Sequence, residues 1–199
     1  DLEACRQWQI PVVGTNETHP DLRIFNYVGI LAIKLLLECN IEVSRSRICV
    51  VGSDPFGTQI RDALSSLGAE IIKAGGLQDA DAVILAENRD PSCLIGPGGI
   101  DPATLARAGT RVIHICGAVD HGAMLAAGLE KHPVRHAPFG YMTVTTDYVG
   151  MRPVVDLHAG GLKVGQIVVN ARRAGAELAE AAAASVRSGF GLPLFPEVG

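Results

Sequence analysis

The hexapeptide Gly52-Ser53-Asp54-Pro55-Phe56-Gly57 carries the clearest chemical signal in this sequence. It ends a short β-branched run, Ser46 to Gly52 (SRICVVG). It opens a segment, Phe56 to Leu67, whose apolar residues Ile60, Leu64 and Leu67 have helical spacing. A glycine turn between strand and helix can hold a diphosphate, because backbone amides and the positive end of the helix face it together. Gly52 suits the tight turn and Gly57 a close approach of helix to strand. Asp54 stands where the pattern G-x-G-x-x-G has its middle glycine. Followed by Pro55, Asp54 also has the pattern of an N-cap with proline at the first helical position, which would occupy the same amides. A carboxylate about 5 Å from a phosphate costs roughly 3 kcal/mol at an effective dielectric near 20. A cap contributes only about 1 kcal/mol. The direction of the Asp54 side chain therefore decides between a dinucleotide loop and a capped helix.

Other candidates follow along the chain. The second strand, Ala69 to Lys73 (AEIIK), ends on lysine where an acidic residue would hydrogen-bond an adenosine ribose. Lys73 there can meet a 2′-phosphate, which favours NADP over NAD, or stand solvated at a strand end. His114 alternates within an apolar strand and reads as a core or hydrogen-bonded histidine. His121, His132 and His136 have no convincing ligand spacing, and no metal site is expected. Arg135 and Arg152 read as surface residues, and Tyr141 and Tyr148 as pocket lining or sheet cover.

These residues need a scaffold. Asp81 to Ala86 (DAVILA) and Arg111 to Cys116 (RVIHIC) read as a third and fourth strand, with helices near Pro102 to Ala108 and His121 to Leu129. Val154 to Leu157 reads as a short later strand. Long helices are expected over Leu22 to Glu38, with Asp21 as N-cap, and over Val164 to Arg187. Near-continuous apolar strands alternating with helices predict an α/β fold around a parallel sheet covered on both faces. We divide the chain into a link over residues 1–20, a nucleotide-binding domain over 21–188 and a tail over 189–199.

Composition narrows the partners. Nearly half of the 199 residues are apolar, 19% are charged, and the net charge is −4 with no basic run. That excludes a disordered chain and argues against nucleic acid as a partner. The apolar stretch Tyr27 to Leu37 is too short to span a bilayer. Five cysteines without a C-x-x-C pair point to a reducing cytoplasm and no structural zinc.

Several stretches, in this order, resemble the D-2-hydroxyacid dehydrogenase family. Asp1 to Asn16 (DLEACRQWQIPVVGTN) resembles the segment ending its substrate domain, and Leu22 to Glu38 the interdomain helix. Asp81 to Gly96 (DAVILAENRDPSCLIG) resembles the strand leading to "T-x-x-L-I". Val112 to Leu129 (VIHICGAVDHGAMLAAGL) resembles "N-x-x-R-G-x-x-V-D-x-x-A-L". Asp156 to Gly161 (DLHAGG) resembles "T-P-H-x-A-G". The likeness implies a Rossmann-like doubly wound sheet flanked by long N- and C-terminal helices. It implies NAD or NADP on the loop 52–57, on Lys73 and near Cys116 and Gly117, and a small-molecule substrate. It also implies a homodimer through the helix 22–38, which is apolar on more than one face and must be covered.

The family's chemistry uses a histidine, a carboxylate that orients it, and an arginine that clamps the substrate carboxylate. His158 stands at the histidine position, as a residual acid/base group or as a locally bonded histidine. Cys116 stands at the arginine position. No glutamate occurs in Pro138 to Val149 (PFGYMTVTTDYV), where Asp147, or Asp156 beyond it, would have to stand in. Two functions remain open: an NAD(P)-dependent oxidoreductase of the 2-hydroxyacid type, and a non-catalytic Rossmann-like binding or scaffold domain.

Overall fold

A computed structural model describes residues 2–193. Of the expected tail, residues 194–199 lie outside the described residues. In chain order the elements are α1 (Leu2–Gln7), β1 (Val13–Thr15), α2 (Asn26–Glu38), β2 (Arg47–Val51), α3 (Phe56–Ser66), β3 (Glu70–Ile72), β4 (Ala82–Ala86) and β5 (Cys93–Ile95). They continue with α4 (Pro102–Ala108), β6 (Arg111–Cys116), β7 (Ala118–Val119), α5 (His121–Ala126), β8 (Lys131–His132), α6 (Arg152–Arg173), α7 (Leu178–Arg187) and β9 (Gly191–Pro193). 3₁₀ turns lie within Ala74–Asp79, which is kinked at Gly76, and over Thr146–Val149. The chain forms two compact units, one running from Phe25 to Gly150 and the other joining the residues up to Ile24 with those from Met151 on.

The unit Phe25–Gly150 is built on a parallel sheet in the order β3-β2-β4-β6-β8. Successive strand residues point to opposite faces, and here both faces are apolar. Ile48, Ala82, Ile84, Ala86, Ile113 and Ile115 join α2 and α3 through Leu31, Leu35, Ile60 and Leu64. Cys49, Val83, Leu85 and Val112 join the other side through Leu77, Leu105 and Met124. All five residues of β4 are buried, as befits the central strand of a doubly wound sheet. The expected α/β architecture is therefore observed. The chain reverses its winding direction between β2 and β4, and in doubly wound sheets ligands bind outside the carboxyl ends of the strands at such a point.

Helix α2 starts at Asn26, not at Leu22, and Asp21 does not cap it. Arg23 adopts a left-handed φ of 50°, which no helix can continue, so Leu22 and Ile24 are buried before the helix begins. Most of the apolar surface of α2 is covered within its own unit; Ile30 and Leu37 remain exposed. The end of α2 is pinned by Glu38, which accepts from the Tyr148 hydroxyl at 2.8 Å and meets His132 Nε2 at 2.8 Å.

In the other unit β1 pairs antiparallel with β9, and α6 packs on α7 and on β1. The expected strand Val154 to Leu157 is instead the first turn and a half of α6. Pro153 sits at its N-terminus, where proline favours helix over strand continuation. The expected helix Val164 to Arg187 is broken in two, because Gly175 takes a φ of 93° and ends α6. No helix among the described residues is long and apolar enough to cross a membrane.

Two outcomes test this packing. Leu35→Ala, at a fully buried position, lowers the unfolding free energy by about 2–5 kcal/mol, read by urea denaturation, whereas Leu162→Ala, 77% exposed, changes it by about 0.5 kcal/mol or less. Burial pushes the Glu38 carboxyl up, but its bonds to His132 and Tyr148 outweigh that and hold it below its usual range. Its stabilising effect is thus present above the unfolded-state value and lost as pH falls through the folded one. Thermal melts of Glu38→Gln lose less stability below about pH 4.5 than the wild type does.

Candidate functional site at the carboxyl ends of β2, β4 and β6

The site begins with how closely α3 approaches the end of β2. A Cβ on Gly57 would lie 2.2 Å from the Gly52 carbonyl oxygen, and one on Gly52 would lie 2.5 Å from that of Ala86. A side chain at Gly57 would force the helix start off the Gly52 carbonyl, and one at Gly52 would force the turn off Ala86 of β4, so both positions require glycine. The Gly57 amide donates to the Ser53 carbonyl at 2.8 Å, which closes the turn.

Asp54 does not cap the helix. Pro55 holds the N-cap position with no side-chain bond to the amides. The Asp54 carboxylate instead accepts from the Thr58 hydroxyl and lies 3.6 Å from Arg61 Nη2. A hydroxyl and a guanidinium on the same face of α3 outcompete the backbone amides for it. The capping alternative is thereby corrected, and the acidic residue in the middle of the loop is turned toward a cation of its own helix. Phe56 is turned inward as well, its ring centroid 5.8 Å from that of Phe25. Lys73 is exposed at the end of β3, where it precedes the 3₁₀ segment.

Sequence reading missed Glu87, the first residue beyond β4. It is only 9% exposed and faces the glycine loop. Its Oε1 accepts from the Ser53 hydroxyl at 2.7 Å, from the Arg89 amide at 2.7 Å and from the Asp90 amide at 3.0 Å. Burial pushes its carboxyl up, but these donors win and hold it below the usual range, so it is ionised at neutral pH. The available signal was an acidic residue closing an otherwise apolar strand, AVILAE, beside a phosphate-type loop.

Cys116 and Gly117 lie next to Glu87. Burial first, and then the Glu87 charge, push the Cys116 thiol up to about 12, so it stays neutral and is no nucleophile. A Cβ on Gly117 would meet the Glu87 carbonyl at 3.3 Å and its Cβ at 3.5 Å. The fold thus brings together Ser53, Glu87, Cys116 and Gly117, with Asp54 on the outer lip. None of these contacts supplies the guanidinium that a keto-acid clamp needs.

His158 belongs to the other unit and lies within α6, not at a strand end. It is exposed, and its Nδ1 donates to the Val154 carbonyl at 2.7 Å, one helical turn back. Asp156 is engaged with Arg152 at 3.0 Å, and Asp147 accepts from the Thr145 hydroxyl. Neither of these two bonds involves His158, whose own bond is to the backbone of its helix. His114 is buried, donates through Nε2 to the Gly117 carbonyl at 2.9 Å and is held neutral by burial, at about 4. The His121 and His136 rings meet edge to face with centroids 3.8 Å apart. Among the described residues no group of three or more histidine, cysteine or acidic side chains is placed to hold a metal ion.

No protein-family description and no curated protein sequence matches the chain. Solved structures do. A dipicolinate synthase structure from Bacillus halodurans matches with a TM-score of 0.52 and 14% identity, over 81% of this chain and 61% of that one. The A chain of dipicolinate synthase from Bacillus subtilis matches with a TM-score of 0.52 and 15% identity, over 78% of this chain and 58% of that one. The fold is Rossmann-like. That is the fold the family resemblance implied, and at this identity the likeness carries the architecture alone. The chain spans about three fifths of the length of the two structures, 61% and 58%.

The glycine approach is directly testable. Gly57→Ala must push α3 off β2, so it lowers the melting temperature and removes whatever nucleotide binding the wild type shows in the same titration.

Proposed function

We propose that the unit Phe25–Gly150 binds a nicotinamide dinucleotide, NAD or NADP, with its diphosphate on the loop Gly52–Gly57, and serves dehydrogenase-type chemistry on a small molecule. The observation that carries this is the direction of the Asp54 carboxylate. Turned onto Thr58 and Arg61, it leaves the start of α3 uncapped by a side chain, and the guanidinium offsets its charge. The positive end of an eleven-residue helix then faces the crevice at the winding reversal. The residues present fit the group on one further ground. Both flanking glycines are positions where a Cβ would meet backbone oxygens, at 2.2 Å and 2.5 Å, so the turn and the helix packing are as tight as the first and third glycines of the fingerprint make them. Lys73, exposed at the end of the second sheet strand, supports NADP over NAD.

When bound, the nicotinamide would supply hydride transfer. The chain's own residues would bind the diphosphate through the loop and hold the loop against β4 through the Ser53–Glu87 bond. The protein's acid/base partner in this chemistry is not the family trio. Cys116 is an uncharged thiol, and His158 is tied to its own helix. Those two facts favour a second reading, a nucleotide-binding domain without turnover.

Titration with NADH and NADPH by fluorescence tests both. Saturable binding supports the site, and no binding of either at about millimolar concentration, a free energy of roughly −4 kcal/mol, removes it. Binding without turnover on a panel of 2-keto acids supports the second reading. Arg61→Ala, which strips Asp54 of its counter-charge, weakens binding by about tenfold; an unchanged affinity would place the diphosphate elsewhere. For self-association, the exposed Ile30 and Leu37 of α2 are the surface on offer, and a monomer at micromolar concentration by light scattering would remove the proposed homodimer.

A further inference from the structure

The dinucleotide reading leaves one charge unexplained, and this inference rests on that reading. Glu87 is a buried carboxylate in the middle of a crevice meant for a ligand that is itself anionic. With the diphosphate on the loop 52–57, the adenosine half belongs on the side of β3, where the ribose-binding position is Lys73. The other half must then cross the ends of β4 and β6. The groups waiting there are Glu87, the neutral Cys116 and Gly117.

The charge around Glu87 is one-sided. From the β2 loop it faces the Ser53 hydroxyl, and from its own loop the amides of Arg89 and Asp90. From β6 it faces the Cys116 thiol, whose proton its charge helps to retain. Asp54, the other acid of the loop, is paired with Arg61. The three donors on Oε1 fix the carboxylate in position and hold it ionised, but they are dipoles and do not cancel its charge. A family member clamping a keto acid would carry a cation at the Cys116 position. Here the groups bonded to the Glu87 side chain are a hydroxyl and two backbone amides, and none of them is a cation.

We propose that the Glu87 carboxylate makes this crevice selective for the oxidised, pyridinium form of the dinucleotide over the reduced form, whose ring is uncharged. The two forms share diphosphate, riboses and adenine, so they differ at this end of the ligand by the ring charge and its geometry. A buried carboxylate is screened little by salt, and it attracts the cationic ring alone. At an effective dielectric near 20 and ordinary contact distances this amounts to roughly tenfold or more in relative affinity.

Isothermal titration of the wild type and of Glu87→Gln with the oxidised dinucleotide, the reduced dinucleotide and ADP-ribose decides it. The wild type binds the oxidised form more tightly than the reduced. Glu87→Gln, isosteric and still able to accept from Ser53, lowers that ratio by about tenfold while ADP-ribose still binds. An unchanged ratio, or equal loss of both forms, overturns charge selection and leaves Glu87 a strut for the loop. Wild-type protein that binds the reduced form as tightly as the oxidised overturns it without any variant, should Glu87→Gln fail to fold. Loss of ADP-ribose binding in the wild type would instead sink the dinucleotide reading itself, and this inference with it.

Discussion

The contact between the first turn of α3 and Gly52, the residue after β2, governs the chemistry of the candidate site. Only a hydrogen at position 57 allows the helix start to sit on the Gly52 carbonyl oxygen, and only one at position 52 lets the turn lie against the Ala86 carbonyl of β4. Once the helix start sits there, the partial positive charge of the first turn of α3 lies beside the residue that follows β2. Ser53 is then carried into reach of β4, and Glu87 can take its hydroxyl at 2.7 Å. A looser junction would leave the same residues in the sequence and disperse them in space.

The crevice that results is unusual in its charge. Rossmann-like sheets ordinarily use the reversal point to gather donors for an anion. This one gathers donors and spends three of them on an internal carboxylate. The arrangement is self-consistent. The carboxylate is fully hydrogen-bonded on Oε1, which is what burial of an ionised group requires. The neighbouring thiol remains protonated and contributes no competing charge. The site therefore differs from a hydroxyacid-type centre by more than the loss of side chains.

Much of the sheet was legible because buried parallel strands write themselves plainly. Runs such as AVILA and RVIHIC are apolar on both faces apart from Arg111 and His114, and their place inside a sheet covered on both sides follows from that. The glycine loop was legible for the same reason, since its two outer glycines are forced by sterics. What was not legible depended on contacts between distant residues or on single backbone angles. Arg23 and Gly175, each in a left-handed conformation, moved a helix start and split a helix. The Val-Val pair after Pro153 read as strand by β-branching, yet proline at a helix start outweighs that preference. Asp54 had two possible directions in sequence, over the helix amides or away from them, and the placement of Thr58 and Arg61 chose between them. Glu87 was legible only as an acid at a strand end; its partner Ser53 lies far upstream, and the sheet order alone brings the two together.

The uniformly apolar β4 has a cost outside the finished fold. With every residue buried and both edges hydrogen-bonded, it has no solvated side to show if one neighbouring strand is missing. During synthesis it leaves the ribosome before β6, the strand that seals its second edge. A five-residue segment of high β-propensity without charge or proline is then an open template for pairing with another chain. Truncations that stop between the two strands should accordingly accumulate as insoluble aggregates, whatever the fate of the ligand site.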